Sequence, residues 1–199
     1  MIKGKAALVL VDVQQGIMDT SQHWFRQENA DTVVRTKKLL DACREANIPA
    51  AFLYEVHRTS MIDFGRELDG TEKVHCLEDN PNTPIASALN VLPDDPVIPK
   101  RRYSGFLYTD LEVVLNGFGV HAGDTLIMCG YLTDVCVHYT FVDAHQRDFR
   151  IKVVRDCCGG STQRAHDYAF EAMHYLQHDA PCSLDEILED IKEYGARQK

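Results

Sequence analysis

The sequence predicts an α/β fold in which helices cover both faces of a mainly parallel sheet. Short, nearly continuous apolar runs alternate along the chain with longer helical patterns. Strands buried on both faces have such continuous apolar runs, and a strand–helix–strand repeat joins parallel strands by right-handed crossovers. These two observations predict a doubly wound sheet within a single domain that spans residues 1–199.

Five apolar runs are the predicted strands. Each is short, rich in aliphatic residues and followed by polar residues, glycine or proline, as expected for buried strands. The runs are Ala6–Val13, Pro49–Val56, Pro96–Pro99, Thr125–Tyr131 and Ile151–Asp156.

Helical patterns fill most of the intervals between these runs. They lie at 30–48, 109–120, 133–148, 162–176 and 183–194. The last begins with Ser183 and Glu186 at the spacing of a capping box. The region from 58 to 95 has glycines and prolines but no helical pattern, so we expect a loop-rich excursion near the mouth of the site.

Composition excludes several classes of protein. The net charge of −9 and an isoelectric point near 5.4 argue against nucleic-acid binding, which needs a basic face. No apolar run approaches the ~20 residues of a membrane span, and the start of the chain has no signal-peptide pattern. Seven cysteines without metal-ligand spacing indicate free thiols in a reducing compartment. We therefore expect a cytoplasmic protein that binds neither nucleic acid nor membrane.

Three reactive side chains follow predicted strands. Asp12 follows the first, Lys100 follows the third, and Cys136 lies on the first turn of the helix after the fourth. Ligands of doubly wound sheets bind beyond the carboxyl ends of the strands. Each residue also has a structural alternative: Asp12 as a helix cap or buried ion-pair partner, Lys100 as a solvated cation, and Cys136 as a small core residue.

Together the three residues supply the chemistry of covalent acyl transfer. A thiol at a helix start is expected to have a pKa below ~8.5, because free amides and the helix dipole favour the thiolate. A lysine cation and a carboxylate base complete the set. Neither a G-x-G-x-x-G motif nor a P-loop occurs, so we expect no nucleotide cofactor.

Three motifs in order resemble those of the isochorismatase-like cysteine hydrolases, a family that includes nicotinamidases, N-carbamoylsarcosine amidases, ureidoacrylate amidases and biuret hydrolases. They are DVQ at 12–14, KRRYSGF at 100–106 and GYLTDVCV at 130–137. The resemblance extends from about Ala6 to about Cys182. It implies a three-layer α/β/α sandwich with a six-stranded, mostly parallel sheet, and a homodimer or homotetramer.

The resemblance also implies a catalytic triad of Asp12, Lys100 and Cys136. Asp12 would take the thiol proton, Lys100 would hold the thiolate, and Cys136 would attack a carbonyl to give a thioester that water hydrolyses. A cis peptide is implied between Tyr131 and Leu132. The backbone N–H groups of Leu132 and Cys136 would then form the oxyanion hole.

A metal site is a weaker implication of the resemblance. Nicotinamidases of this family hold a metal with an Asp-x-His pair and a further histidine before a cysteine. Here Glu55-x-His57 and His75 stand at the matching places, with glutamate for aspartate. Alternatively, Glu55 and His57 pair with Arg58 or neighbouring loops and order the pocket wall. We expect this second role, and so no metal and no other cofactor.

Several polar and aromatic side chains are expected near the substrate. Trp24 either closes over the substrate or packs its own loop, and Arg58 either binds a carboxylate or ureido oxygen or forms a surface ion pair. The residues expected to line the substrate pocket are Gln14, Trp24, Arg58, Tyr103, Phe106 and Tyr131.

The leading functional hypothesis is a cysteine amidohydrolase that cleaves a C–N bond of a small amide or ureide. The first alternative is an isochorismatase-type hydrolase that cleaves a vinyl ether by acid catalysis and needs no thiol. The second is a non-catalytic binding domain of the same fold. Cys136 argues against the first alternative and the intact set of three argues against the second. Rapid alkylation of one cysteine fits only the leading hypothesis.

Overall fold

The protein contains one six-stranded parallel sheet with the strand order β3-β2-β1-β4-β5-β6. A computed structural model describes residues 1–18 and 27–198. All five neighbouring strand pairs are parallel. The strands are Ala6–Val11 (β1), Ala50–Glu55 (β2), Val97–Lys100 (β3), Thr125–Tyr131 (β4), Arg150–Gly159 (β5) and Pro181–Cys182 (β6).

Five α-helices in the described part of the chain complete a three-layer α/β/α sandwich. α1 and α5 pack against each other and against β5, while α3 and α4 form a second packed pair. The helices are Gln27–Glu45 (α1), Leu111–Gly117 (α2), His138–His145 (α3), Gln163–Leu176 (α4) and Leu184–Arg197 (α5). No helix in the described ranges combines the length and apolar character that crossing a membrane requires.

The predicted fold class and the five predicted strands are confirmed. The structure adds β6, which the resemblance implied but which is only two residues long, and it extends β5 to Gly159. Two short 3₁₀ helices, Glu67–Asp69 and Ser87–Leu89, are the only helices in the excursion, all of which the structure describes. The predicted capping box at Ser183 is present.

Continuous burial explains why the strands are so apolar. Every residue of β1 and β4 is buried, because helices cover both faces of the central strands. Each fully buried Val, Leu or Ile stabilises the fold by about 1.5–3 kcal/mol relative to exposure. The centre of the sheet is therefore a rigid base for the residues that follow its strands.

The strand order reverses between β1 and β4. From β1 the chain builds outward through β2 and β3, then returns to β4 and builds outward in the opposite direction. Such a reversal leaves a crevice beyond the carboxyl ends of the two central strands, because their connections leave in opposite directions. The predicted reactive residues follow the strands around this crevice.

Candidate active site

Four ionisable side chains meet at the carboxyl edge of the sheet. Asp12 follows β1 directly, Glu55 ends β2 and Lys100 ends β3, where the strand register pairs it with Glu55. Cys136 lies in a π-helical turn, Thr133–Val137, between β4 and α3. The fold thus brings together residues that lie far apart in the sequence.

The ammonium group of Lys100 is the centre of this cluster. Its Nζ atom lies 2.8 Å from Asp12 Oδ2, 2.9 Å from Glu55 Oε2 and 3.3 Å from Cys136 Sγ, and it donates to Arg102 O at 3.1 Å. Lys100 is completely buried. The structure therefore brings the three residues of the predicted triad together and adds Glu55, which sequence reasoning did not place beside them.

Asp12 has a backbone conformation that is uncommon for a non-glycine residue. Its φ angle is +51°, in the left-handed region, and its N–H donates to Leu53 O at 3.0 Å. This conformation costs roughly 1–2 kcal/mol for an L-residue and is found where the surrounding structure enforces it. Here it turns the chain directly after β1, next to Lys100.

Gly130 allows β4 to approach β1 closely just before the cysteine turn. Its φ angle is +129°, and a Cβ at this position would lie 1.9 Å from Val11 O. Only glycine fits this position. One residue further along, the peptide bond between Tyr131 and Leu132 is cis, as the resemblance implied.

The two carboxylates differ in their affinity for protons. Burial raises the pKa of Asp12 to about 6, with Lys100 opposing this and the charge of Glu55 adding to it. Burial alone would also raise the pKa of Glu55, but the charge of Lys100 and hydrogen bonds from His57 and His75 hold it well below its usual range. Asp12 is therefore the better proton acceptor, and Glu55 stays ionised.

The expected lowering of the Cys136 pKa is wrong. Burial raises the pKa of this thiol well above its ordinary value, with Lys100 opposing and Asp12 and Glu55 adding to the rise. Regular α-helix begins only at His138, so the thiol does not stand at the start of α3. The resting site consequently holds a neutral thiol beside ionised carboxylates.

A second cluster adjoins the first through the other oxygen of Glu55. Glu55 Oε1 lies 3.1 Å from His57 Nε2 and 2.8 Å from His75 Nε2. Glu67, from the excursion, places Oε2 3.3 Å from His57 Nε2. Sequence reasoning missed Glu67 because it lies in a segment without periodicity. Of the two kinds of partner expected for Glu55 and His57, the neighbouring loops supply the observed ones. Arg58 instead pairs with Asp63 at 3.5 Å.

The second cluster fits a divalent cation. Glu55, His57, Glu67 and His75 each offer one ligand atom, and these atoms lie within 4.8 Å of one another. Both carboxylate oxygens of Glu67 are buried without a hydrogen-bond donor. Two imidazoles and two carboxylates suit Zn²⁺ or a similar ion.

Gln14 and Phe106, which were expected to line the substrate pocket, are both buried. The amide of Gln14 donates to the backbone oxygens of Glu55 and Thr83 and accepts from the N–H of Glu55. It therefore ties β2 to the excursion. Phe106 is buried, and its ring stacks at 6.3 Å on that of Phe149, so it serves packing.

The other expected pocket residues have varied surroundings. Tyr131 is buried, and its side chain is hydrogen-bonded to Thr32 of α1. Arg58 is exposed in its surface ion pair, which was one of its two expected roles. Tyr103 is half-buried; burial raises its pKa to about 12, and the negative charges of Glu67, Glu72 and Glu55 add to the rise. Trp24 lies outside the described residues.

One groove of the described surface is formed without the three predicted triad residues. It has a volume of about 690 Å³ and is lined by residues of β2, β3 and the excursion, Tyr54, Ile85 and Val97 among them. None of Asp12, Lys100 and Cys136 lines it. The side-chain chemistry, and not the groove volume, therefore locates the candidate active site.

Comparison with known proteins finds relatives over most of the chain. The family model of the isochorismatase domain matches residues 6–183. An uncharacterized isochorismatase family protein, YecD of Escherichia coli O157:H7, is 29% identical over 186 residues, which cover 92% of this chain and 94% of the relative. The ureidoacrylate amidohydrolase RutB of Pseudomonas savastanoi pv. phaseolicola is 25% identical over 194 residues, 86% of this chain and 76% of the relative.

Solved structures share the fold. A cysteine hydrolase from Pseudomonas syringae pv. phaseolicola 1448A superposes with a TM-score of 0.85 at 24% identity, and the superposition covers 98% of both chains. The family match spans nearly the whole of the sandwich, from the start of β1 to the residue after β6. The chain belongs to the isochorismatase family of hydrolases, which includes amide-hydrolysing relatives.

Proposed function

We propose that the chain is a cysteine-dependent amidohydrolase that cleaves a C–N bond of a small amide or ureide through a thioester. The observation that carries this proposal is the position of Lys100 Nζ, 2.8 Å from Asp12 Oδ2 and 3.3 Å from Cys136 Sγ. A thiol, a carboxylate and a cation in contact are what thiol-based acyl transfer needs. The ureidoacrylate amidohydrolase relative supports the substrate class.

In the first half of the reaction, Asp12 takes the proton of Cys136 as the sulfur attacks the substrate carbonyl carbon. A C–S bond forms, and the carbonyl oxygen becomes an oxyanion that accepts hydrogen bonds from the N–H groups of Leu132 and Cys136. The C–N bond then breaks while Asp12 returns the proton to the leaving nitrogen. Ammonia or an amine leaves, and an acyl thioester remains.

In the second half of the reaction, a water molecule hydrolyses the thioester. Asp12 accepts a proton from the water, whose oxygen attacks the thioester carbonyl, and the C–S bond breaks. The departing sulfur takes the proton back as the thiol. The products are a carboxylic or carbamic acid and the starting enzyme.

The two carboxylates, Asp12 and Glu55, have different roles because their surroundings give them different pKa values. Asp12, with a pKa of about 6, accepts a proton readily near neutral pH. Glu55, whose pKa lies well below its usual range, holds Lys100 in place as a permanent anion. A divalent cation held by the second cluster would add positive charge beside Glu55 and supply Lewis acidity.

Three residues are proposed to contact the substrate. We propose that Tyr103 contacts the substrate, since it is half-buried and follows Lys100 in the KRRYSGF segment. Arg58 and Trp24 also remain proposed contacts, Arg58 for a carboxylate or ureido oxygen. Cys136 and Asp12 are only 6% and 7% exposed, which favours a small substrate.

The test is ammonia release from a panel of small amides by the wild type and Cys136→Ala. The panel holds nicotinamide, biuret, ureidoacrylate analogues, N-carbamoyl amino acids and maleamate. We expect turnover of at least one compound by the wild type and none by the variant. Activity that survives in Cys136→Ala would contradict the nucleophile and point to acid catalysis by Asp12.

We also propose that the protein works as a homodimer or homotetramer in the reducing cytoplasm. All seven cysteines are free. Large apolar side chains are exposed on α2 and just before it, including Tyr108 at 87% and Val113 at 70%. Sedimentation equilibrium of the full chain should give two or four protomers. A monomer at micromolar concentration would contradict self-association.

A further inference from the structure

We propose that the outer face of α4 is a two-fold interface with a second copy of this chain. The proposal rests on the self-association proposed above and names its surface. That surface is a stripe of exposed side chains along the helix, the α4 stripe, made of Arg164, Tyr168, Glu171 and Tyr175. Its charges complement themselves when two copies meet, which identifies the partner.

The spacing of the α4 stripe places its members on one side of the helix. They follow one another at intervals of 4, 3 and 4 residues. At 3.6 residues per turn this spacing gives a narrow seam, as between the helices of a coiled coil. The opposite side of α4 faces the core through His166, Ala169, Phe170 and Met173.

The α4 stripe exposes unusually large aromatic surfaces. Tyr168 is 55% exposed and Tyr175 is 89% exposed, and Leu176, the last residue of α4, is 39% exposed. On the opposite face of the sheet, Val34 is the one large apolar side chain that is exposed among the described residues of α1 and α5. Tyrosine and arginine are enriched where proteins meet. The exposed aromatic surface therefore favours the α4 side of the sandwich as an interface.

The two charges of the α4 stripe have no ion-pair partner among the described residues. The guanidinium carbon of Arg164 lies 5.4 Å over the ring of Tyr168, and the ion pair nearby joins Arg155 to Asp167. Arg164 and Glu171 are seven positions apart, a rise of roughly 10 Å along the axis, so they do not meet within one helix. Both charges are therefore available to a partner.

A two-fold axis near Tyr168 satisfies both charges. Two copies of α4 then run antiparallel, and the first half of one helix lies beside the second half of the other. Arg164 of one protomer faces the partner's Glu171, and symmetry repeats the pair at the other end. A guanidinium and a carboxylate form strong, directional hydrogen bonds. A parallel arrangement would instead bring like charges together, so the charge pattern specifies the antiparallel one.

The helix that carries the stripe is firmly anchored. On its inner side, His166 Nδ1 lies 2.8 Å from Thr133 Oγ1 in the core, and Thr162 caps the first turn by accepting from the N–H of Ala165 at 3.0 Å. A fixed helix loses little conformational freedom when a partner binds. Because Thr133 begins the turn that carries Cys136, the interface would support this turn through α4.

The first experiment is sedimentation equilibrium of the full-length wild type, Arg164→Glu and Glu171→Arg at micromolar concentration. Each single substitution places like charges opposite each other at both ends of the interface, which is strongly unfavourable. We expect each to halve the number of protomers per particle. The double variant Arg164→Glu/Glu171→Arg exchanges the two charges and should regain the wild-type mass.

The second experiment mixes the two single variants, one of them labelled with ¹⁵N, and records native mass spectra. Opposite charges face each other at both ends only when the two variants pair, so we expect particles that contain one chain of each. The control is Lys38→Glu, an exposed lysine on α1 with the same change in charge, which should leave the mass unchanged. Circular dichroism checks that all variants are folded.

Three results would overturn the proposal. A wild type that stays monomeric would exclude the interface together with the self-association on which it rests, and would leave the α4 stripe to a different protein. An unchanged particle mass for either single variant would exclude this surface. A double variant that fails to reassemble would exclude the antiparallel pairing. None of these readouts needs a substrate, so they are independent of whether the proposed hydrolase activity holds.

Discussion

Lys100 shows how strongly one residue can depend on its neighbours. A buried ammonium is unfavourable, yet the carboxylates of Asp12 and Glu55 raise its pKa well above the ordinary value against the effect of burial. The charged form of Lys100 is therefore stable in the core only while both carboxylates are present. Removing one partner leaves an uncompensated buried charge, which costs about 3–5 kcal/mol.

Lys100→Met should slow alkylation of Cys136 at least about tenfold at pH 8. The ammonium lies 3.3 Å from the sulfur, and its loss removes the one charge that favours the thiolate. One pKa unit corresponds to a tenfold change in thiolate population. Peptide mass spectrometry after a timed iodoacetamide pulse measures the rate at Cys136.

The matched control for this prediction is Lys152→Met. Lys152 is also buried, but it lies on β5 and pairs with Asp179. Its replacement should leave the alkylation rate of Cys136 unchanged. Equal rates in the wild type and Lys100→Met would show that Lys100 does not stabilise the thiolate.

The pH dependence of kcat/KM should report the ionisation of the Asp12 carboxyl group. Its carboxyl group has a pKa of about 6, so it is protonated below that pH and cannot accept the thiol proton. We expect kcat/KM to fall as the pH decreases through about 6 and to level off above 7. The profile is measured with the best substrate of the panel, and Asp12→Asn should be inactive throughout. A wild-type profile that is flat between pH 5 and 7 would exclude Asp12 as the base.

At the scale of the elements, the close approach of β1 and β4 depends on one glycine. Gly130→Ala should lower the free energy of unfolding by at least about 2 kcal/mol, because alanine disfavours positive φ and its Cβ would overlap Val11 O. Urea unfolding followed by circular dichroism measures the change.

Gly117→Ala is the control for this substitution. Gly117 ends α2, and a Cβ there would meet no atom within 4 Å. Alanine in a helix is favoured over glycine by about 0.5–1 kcal/mol, so this variant should be as stable as the wild type or more stable. If both variants behaved alike, the overlap at Gly130 would not limit the packing of β1 against β4.

At the scale of the whole molecule, we expect one cooperative unfolding unit. The six strands form one sheet with one continuous buried core, so no part can lose its packing without exposing the rest. Differential scanning calorimetry should give a single transition whose calorimetric and van't Hoff enthalpies agree. Two separable transitions would show that the excursion or another segment folds independently.

Much of this architecture was predictable because its signals are local. Continuous apolar runs mark strands wherever both faces are buried, and five of the six strands were found from them. The two-residue β6 is too short to produce such a run. The resemblance implied it, and only pairing with β5 defines it.

The sequence by itself determined the α/β class, the main strands and the residue types at their ends, including Asp12, Lys100 and Cys136. Only the tertiary structure decided which atoms meet. Glu55 lies 81 residues from Cys136 in the chain, yet its Oε2 is 3.5 Å from the sulfur. The raised pKa of that thiol and the place of Glu67 follow from the same folding. Burial and charge act through space, so local sequence patterns do not encode them.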